Sequence, residues 1–192
     1  MLKLLLITAV FIVVVTICIL VLAATKPARF NVQRVIIVQA APEKVFALID
    51  DLRRWPEWSA NEPGDFAVKR SYSGASAGQG AVCEWEGTGR AGKGHIEIIE
   101  SSPKRIRLQA DWAKPFAAHN INIFTIEPQG NATQVTWELD GENVFVLKVM
   151  AVFVSADRLM GPHLEGGLAS LKAVAEKQKI SLKVADPTNP PD

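Results

Sequence analysis

Residues 120–139 read NINIFTIEPQGNATQVTWEL: an alternating run, a turn and a second alternating run. In the first run, 120–127, Phe124 and Ile126 share a side with Asn120 and Asn122. In the second, 134–139, Val135, Trp137 and Leu139 oppose Gln134, Thr136 and Glu138. Pro128-Gln129-Gly130-Asn131 carries the turn chemistry between them. Two period-2 runs joined this closely pair antiparallel, with their apolar sets facing one core. That face also receives two amides, Asn120 and Asn122.

The same grammar extends upstream. Further strands are predicted over 66–72, 81–86, 93–101 and 105–112, parted by Ser73-Gly74, the glycines of 87–92, Ser102-Pro103 and Lys114-Pro115. Parity puts Cys83 and Trp85 inside on one strand, and Ile106, Leu108, Ala110 and Trp112 inside on another. A first strand is expected over 31–40. Ala41-Pro42-Glu43 then opens a helix whose apolar face is Val45, Phe46, Leu48, Ile49 and Leu52. This helix must end before Pro56, and a short helical turn follows over 54–59. Downstream, 144–160 is apolar and reads as helical. Gly161-Pro162 interrupts it or starts the next segment, and Leu164, Leu168, Leu171 and Ala175 mark one face of a last helix. The order is strand, two helices, six strands, long helix. It specifies an α+β helix-grip fold, a curved antiparallel sheet of about seven strands wrapped on a C-terminal helix. The space between sheet and helix is either filled core or a ligand cavity.

Residues 4–24, LLLITAVFIVVVTICILVLAA, hold no charge and no proline. About 20 apolar residues at 1.5 Å rise match the hydrocarbon core of a bilayer. The run exceeds a signal peptide's apolar region of roughly 7–15 residues, so a retained single-pass transmembrane anchor is favoured over a cleaved leader ending near Val21-Leu22-Ala23. Lys3 precedes the run and Lys26, Arg29 and Arg34 follow it, so charge bias assigns no side of the membrane. The expected organisation is an anchor over 1–25, one domain over 26–179 and a disordered tail over 180–192 ending in DPTNPPD.

The chain resembles the START/Bet v 1-like superfamily, within it the SRPBCC group of polyketide cyclase/dehydrase and lipid-transport proteins. The resemblance spans roughly residues 30–179. It rests on Ala41-Pro42-Glu43-Lys44-Val45-Phe46-Ala47-Leu48-Ile49-Asp50, Arg54-Trp55-Pro56-Glu57-Trp58-Ser59, Phe124-Thr125-Ile126-Glu127-Pro128, Thr133-Gln134-Val135-Thr136-Trp137 and Gly166-Gly167-Leu168-Ala169-Ser170-Leu171-Lys172. It implies an apolar cavity for lipids, sterols, polyketides or similar molecules. The motifs are structural punctuation and carry no chemistry of their own.

The expected ligand-binding residues are Trp85, Trp112, Asn120, Asn122, Phe124, Trp137, Leu164 and Leu168. The tryptophans serve equally well as core filler, and the two amides as backbone partners near a strand end. Trp55 and Trp58 flank Pro56 and are expected to pack that junction. His95 and Glu97 share one strand face, opposite Ile96 and Ile98, and are expected in solvent rather than as a proton-transfer pair. His119 has no evident acid partner in sequence, and His163 is expected in the first turn of the last helix, in contact with solvent. Gly87-Thr88-Gly89-Arg90-Ala91-Gly92 matches a dinucleotide-binding pattern, but a strand follows it where a helix is required, so it reads as a hairpin connection. Asn131-Ala132-Thr133 is a glycosylation sequon explained by its turn. Gly166-Gly167 suggests close approach of helix to sheet.

With 21 basic and 20 acidic residues interspersed, nucleic acid is not an expected partner. Cys18 and Cys83 lie on opposite sides of the membrane boundary and form no intrachain disulfide. Three histidines without metal-like spacing give no metal site, and no cofactor is called for. The expected function is membrane-tethered binding of a hydrophobic small molecule or lipid. Alternatives are a cyclase/dehydratase-like enzyme, which needs an acid or base inside the cavity, and a ligand-free, co-chaperone-like interaction domain. No convincing catalytic constellation is present, so the reading leans away from an enzyme.

Overall fold

The computed structural model describes residues 1–59, 68–87, 92–114 and 117–184. Seven strands form one antiparallel sheet: β1 (Arg29–Val38), β2 (Lys69–Gly74), β3 (Ala81–Glu86), β4 (Lys93–Ser102), β5 (Arg105–Lys114), β6 (Ala118–Gln129) and β7 (Ala132–Glu142). Their order is β1-β7-β6-β5-β4-β3-β2, so β2 to β7 run as a meander and β1 closes on β7. The helices are α1 (Leu2–Ala24), α2 (Pro42–Asp50), a 3-10 turn (Leu52–Glu57), α3 (Phe145–Met150) and α4 (Ala156–Val184). This is the α+β helix-grip architecture expected from the strand and helix order.

Alternation drives the sheet. On β7, Val135, Trp137 and Leu139 are buried together with Phe124 and Ile126 of β6 and Ile106, Leu108 and Ala110 of β5. Hydrogen-bonded register places Phe124 opposite Trp137 and Asn122 opposite Leu139. The β6–β7 hairpin closes through Gly130, at φ 60°, and Asn131, as the turn chemistry required. Register slips on β4 at Lys93/Gly94 and at Ile98/Glu100 mark bulges that bend the sheet around its core.

The helices seat where the apolar periodicity sent them. Pro42 starts α2, whose Val45, Leu48 and Ile49 are buried. The chain leaves the α conformation at Asp51, and its carboxylate accepts from Arg53 N at 2.9 Å, capping the 3-10 turn. The helix thus ends earlier than Pro56, which lies inside that turn. α4 crosses the concave face of the sheet and buries Leu164, Leu168, Leu171 and Ala175. It begins at Ala156, runs through Gly161 and Pro162, and reaches Val184, so both its start and its end extend past the sequence reading. Polar ties fix it to β1. Arg34 bridges Asp157 (2.7 Å) and Glu165 (2.6 Å), Lys172 Nζ donates to the Ile37 carbonyl at 2.6 Å, and Gln39 N donates to Glu176 at 2.7 Å.

Gly167 is buried because a Cβ there would lie 2.6 Å from the Trp137 ring, which is the close helix-to-sheet approach the glycine pair suggested. Gly87 N donates to the Gly92 carbonyl at 2.8 Å between antiparallel β3 and β4, so the glycine-rich pattern closes a hairpin and no helix follows it. Residues 88–91 of that pattern, 66–67 of the expected second strand and 185–192 of the tail fall outside the described residues.

Candidate functional site

The inner face of the sheet divides into a packed half and a half-open end. Under α4, Phe124, Trp137, Leu164 and Leu168 are at most 4% exposed. Trp58, arriving from the end of the 3-10 turn, fills what remains: its ring lies 6.1 Å from Phe124 and 6.2 Å from Trp137, both edge-on. Phe124 and Trp137 stack at 4.9 Å. The indole nitrogens find partners, as buried ones must. Trp58 donates to the Leu48 carbonyl at 2.9 Å, Trp55 to the Ile49 carbonyl at 2.8 Å, and Trp137 to Asn122 Oδ1 at 3.0 Å. Asn122 is therefore a core amide whose oxygen is held by a side chain, the Trp137 indole, and Trp55 and Trp58 pack their junction as expected. This half is filled core.

The other half lies at the hairpin ends of β3 to β6. Trp85 and Trp112 meet edge-to-face with centroids 4.8 Å apart, and both are half-buried. Gly94 lies beneath them, where a Cβ would come within 2.7 Å of the Trp85 ring. Asn120 is half-buried on the same face and lies with Phe30 over Gly141. Among the described residues its amide has no hydrogen-bond partner. Trp85, Trp112 and Asn120 are the expected site residues that keep access to solvent. Asn122, Phe124, Trp137, Leu164 and Leu168 are buried in the packed half.

An open groove of about 420 Å³ runs along this end, lined by Trp85 and Trp112 together with Lys69, Glu84, His95 and Asp111. Its polar side is a cluster on the outer face. His95 and Glu97 do share that face, but the partner of His95 is Asp111 across the β4–β5 pair, with Nε2 and Oδ2 3.2 Å apart. His119 Nδ1 hydrogen-bonds the other oxygen of Asp111 from β6, and Gln109 donates to that carboxylate at 3.0 Å. Partial burial works against the Asp111 anion, but the bonds from Gln109 and His119 and the nearby His95 outweigh it and hold its pKa below the usual carboxylate value. His119 thus has the acid partner that within-strand spacing did not reveal.

Other titratable groups on the inner face are quiet. Desolvation raises the pKa of the Cys83 thiol and of the phenol of its cross-strand partner Tyr72, so the sulfur stays protonated and is not an activated nucleophile. His163 keeps the expected contact with solvent but lies past the first turn of the last helix, because α4 starts at Ala156; its ring is 5.8 Å from Trp137, and desolvation lowers its imidazole pKa. No group of metal-ligating side chains is assembled among the described residues.

Residues 29–176 match a family model described as polyketide cyclase/dehydrase and lipid transport. The fold is shared with solved structures of low sequence identity. A protein from Chromobacterium violaceum aligns with TM-score 0.53 and 17% identity over 78% of this chain and 99% of its own. The KanY protein gives 0.59 and 14% over 78% and 99%. DynU16, from a dynemicin biosynthetic locus, gives 0.52 and 16% over 76% and 47%. No curated protein matches the chain significantly.

Proposed function

Because the chain belongs to the polyketide cyclase/dehydrase and lipid-transport family, we propose that it is a membrane-tethered binder of a hydrophobic small molecule or lipid. α1, long and apolar enough over Lys3–Ala24 to cross a bilayer, is its single-pass anchor. The ligand lies on the inner face at the open hairpin end, where Trp85 and Trp112 border the groove. Its apolar body rests against these two rings, with Asn120, beyond the groove lining, orienting a carbonyl or hydroxyl. The observation that carries this reading is a solvent-reachable aromatic pair with an unpartnered amide on the same sheet face. Tethering would raise the effective concentration of a membrane-derived ligand at the groove.

The test is titration of the full chain in detergent with a fluorescent aromatic sulfonate probe. Trp112→Ala is expected to weaken binding by up to about tenfold while leaving the fold intact, since such a contact contributes about 0.5–1.5 kcal/mol beyond area. Unchanged affinity in a folded Trp112→Ala variant refutes the assignment.

A second reading has its own support. His95, Asp111 and His119 form an acid–base cluster on the outer face, with His95 and Asp111 lining the groove beside Trp85 and Trp112, and such a cluster can serve proton transfer in a cyclase- or dehydratase-like reaction. Turnover of a bound polyketide-like substrate that is lost in Asp111→Asn, with binding retained, would favour it over simple binding.

A further inference from the structure

α3 and the turn after it present a bare apolar surface beside α1. Phe153 is 69% exposed, Phe145 57%, Val146 45%, Leu159 44%, Met150 41% and Val154 39%. These residues are not a helix left unseated. Half-buried Leu147 and Ala151 line, together with Phe30 and Met160 and the inner edges of Met150, Val154 and Leu159, a gap of only 20 Å³, about one water. A soluble protein rarely leaves so many large apolar side chains together in water.

The position of α3 says what covers them. Most of α1 is bare, but one seam of its last turns is covered: Ala23 is fully buried and Ile19 half-buried, while Leu20, Val21 and Leu22 stay exposed, and α3 is the helix that packs against α1. Residues 4–24 span about 31 Å as a helix, the thickness of the hydrocarbon core, and Ile19 to Ala24 occupy its final 7 Å or so. A helix packed against those turns is held at the boundary between acyl chains and headgroups. Interfacial segments bury their apolar faces about 5–10 Å deep, which is the depth this packing sets. The segment 144–156, VFVLKVMAVFVSA, contains no acid and one base, Lys148, suiting it to anionic headgroups.

We propose that α3 and the following turn, residues 145–154, form a second membrane contact, a wedge in the interfacial layer that fixes how the domain sits on the lipid surface. The proposal rests on the reading of α1 as a spanning anchor. It would orient the Phe30 end of the sheet toward the bilayer and leave the β2–β3 edge, at the far side of the sheet from β1, away from it.

The experiment is spin-label depth measurement on the full chain reconstituted in vesicles of phosphatidylcholine with phosphatidylglycerol. Phe153→Cys, Ile12→Cys and Glu84→Cys are labelled one at a time in a Cys18→Ala, Cys83→Ala background. Position 153 is expected to collide severalfold more with oxygen than with a water-soluble nickel complex, as position 12 does, whereas position 84 shows the reverse. A label at 153 that is open to nickel while position 12 is not overturns the wedge and leaves the anchor standing. Nickel access at both positions overturns both. Protection of 153 from both reagents, with spin–spin broadening, overturns the lipid assignment in favour of a second copy of this chain.

Discussion

Gly167→Ala tests how tightly α4 grips the sheet, and the sign of its effect separates two accounts. In an unconstrained helix interior the change would stabilise the protein by about 1 kcal/mol, because alanine is the better helix former. Here the new methyl carbon would lie 2.6 Å from the Trp137 ring. That ring has little room to yield: its nitrogen is bonded to Asn122 at 3.0 Å, one face stacks on Phe124 at 4.9 Å, and Trp58 and His163 stand edge-on against it. Overpacking of a fixed core costs about 1–3 kcal/mol. The net is a destabilisation of roughly 0–2 kcal/mol, centred near 1, or a fall of about 2–4 °C in midpoint for a chain of this size. Thermal and urea unfolding of the full chain in mild detergent, followed by tryptophan fluorescence, reads it. The double variant with Trp137→Leu should relieve the clash, giving a coupling energy of opposite sign to the single effect. A Gly167→Ala protein more stable than the parent by about 1 kcal/mol would refute the close approach.

Three further outcomes follow from the same geometry. Trp58→Ala should cost about 3–5 kcal/mol, because it removes the ring packed edge-on against Phe124 and Trp137 and leaves the Leu48 carbonyl unpaired; calorimetry reads the loss as a lowered midpoint. Asp111→Asn should cost under about 1 kcal/mol at neutral pH, the carboxylate being partly exposed. Since folding lowers the Asp111 pKa, its contribution is fully present above the unfolded value of 3.8 and is lost as pH falls through the folded one, so melting curves of parent and variant should converge in acid. Arg34→Met should free the start of α4 from β1, read as faster hydrogen exchange over residues 156–165, with little effect in high salt, where the bridges to Asp157 and Glu165 are already screened.

Periodicity carried most of the architecture because each strand has one wet and one dry face. The positions of Val135, Trp137, Leu139, Phe124 and Ile126 followed from parity alone. What parity cannot supply is register. Counting outward from the Lys114-Pro115 turn pairs Asp111 with His119, so that contact was readable from the hairpin centre. Counting from the Ser102-Pro103 turn would have paired His95 with Trp112; the bulge at Ile98/Glu100 shifts the ladder and brings Asp111 opposite instead. The split of the expected ligand site was hidden for a similar reason. Trp58 lies far from β6 and β7 in sequence, and only the fold shows that its ring fills the space beneath α4.

Native mass spectrometry of the full chain, purified from its host membranes and released from detergent, tests the binding claim most directly. The account predicts an adduct of one defined apolar mass at one-to-one stoichiometry, reduced in occupancy in Trp112→Ala and recoverable by organic extraction. A clean apo mass in the parent, with no uptake of added lipids or aromatic amphiphiles, would contradict it and leave the outer-face cluster and the bare surface of α3 as the parts of the molecule with work to do.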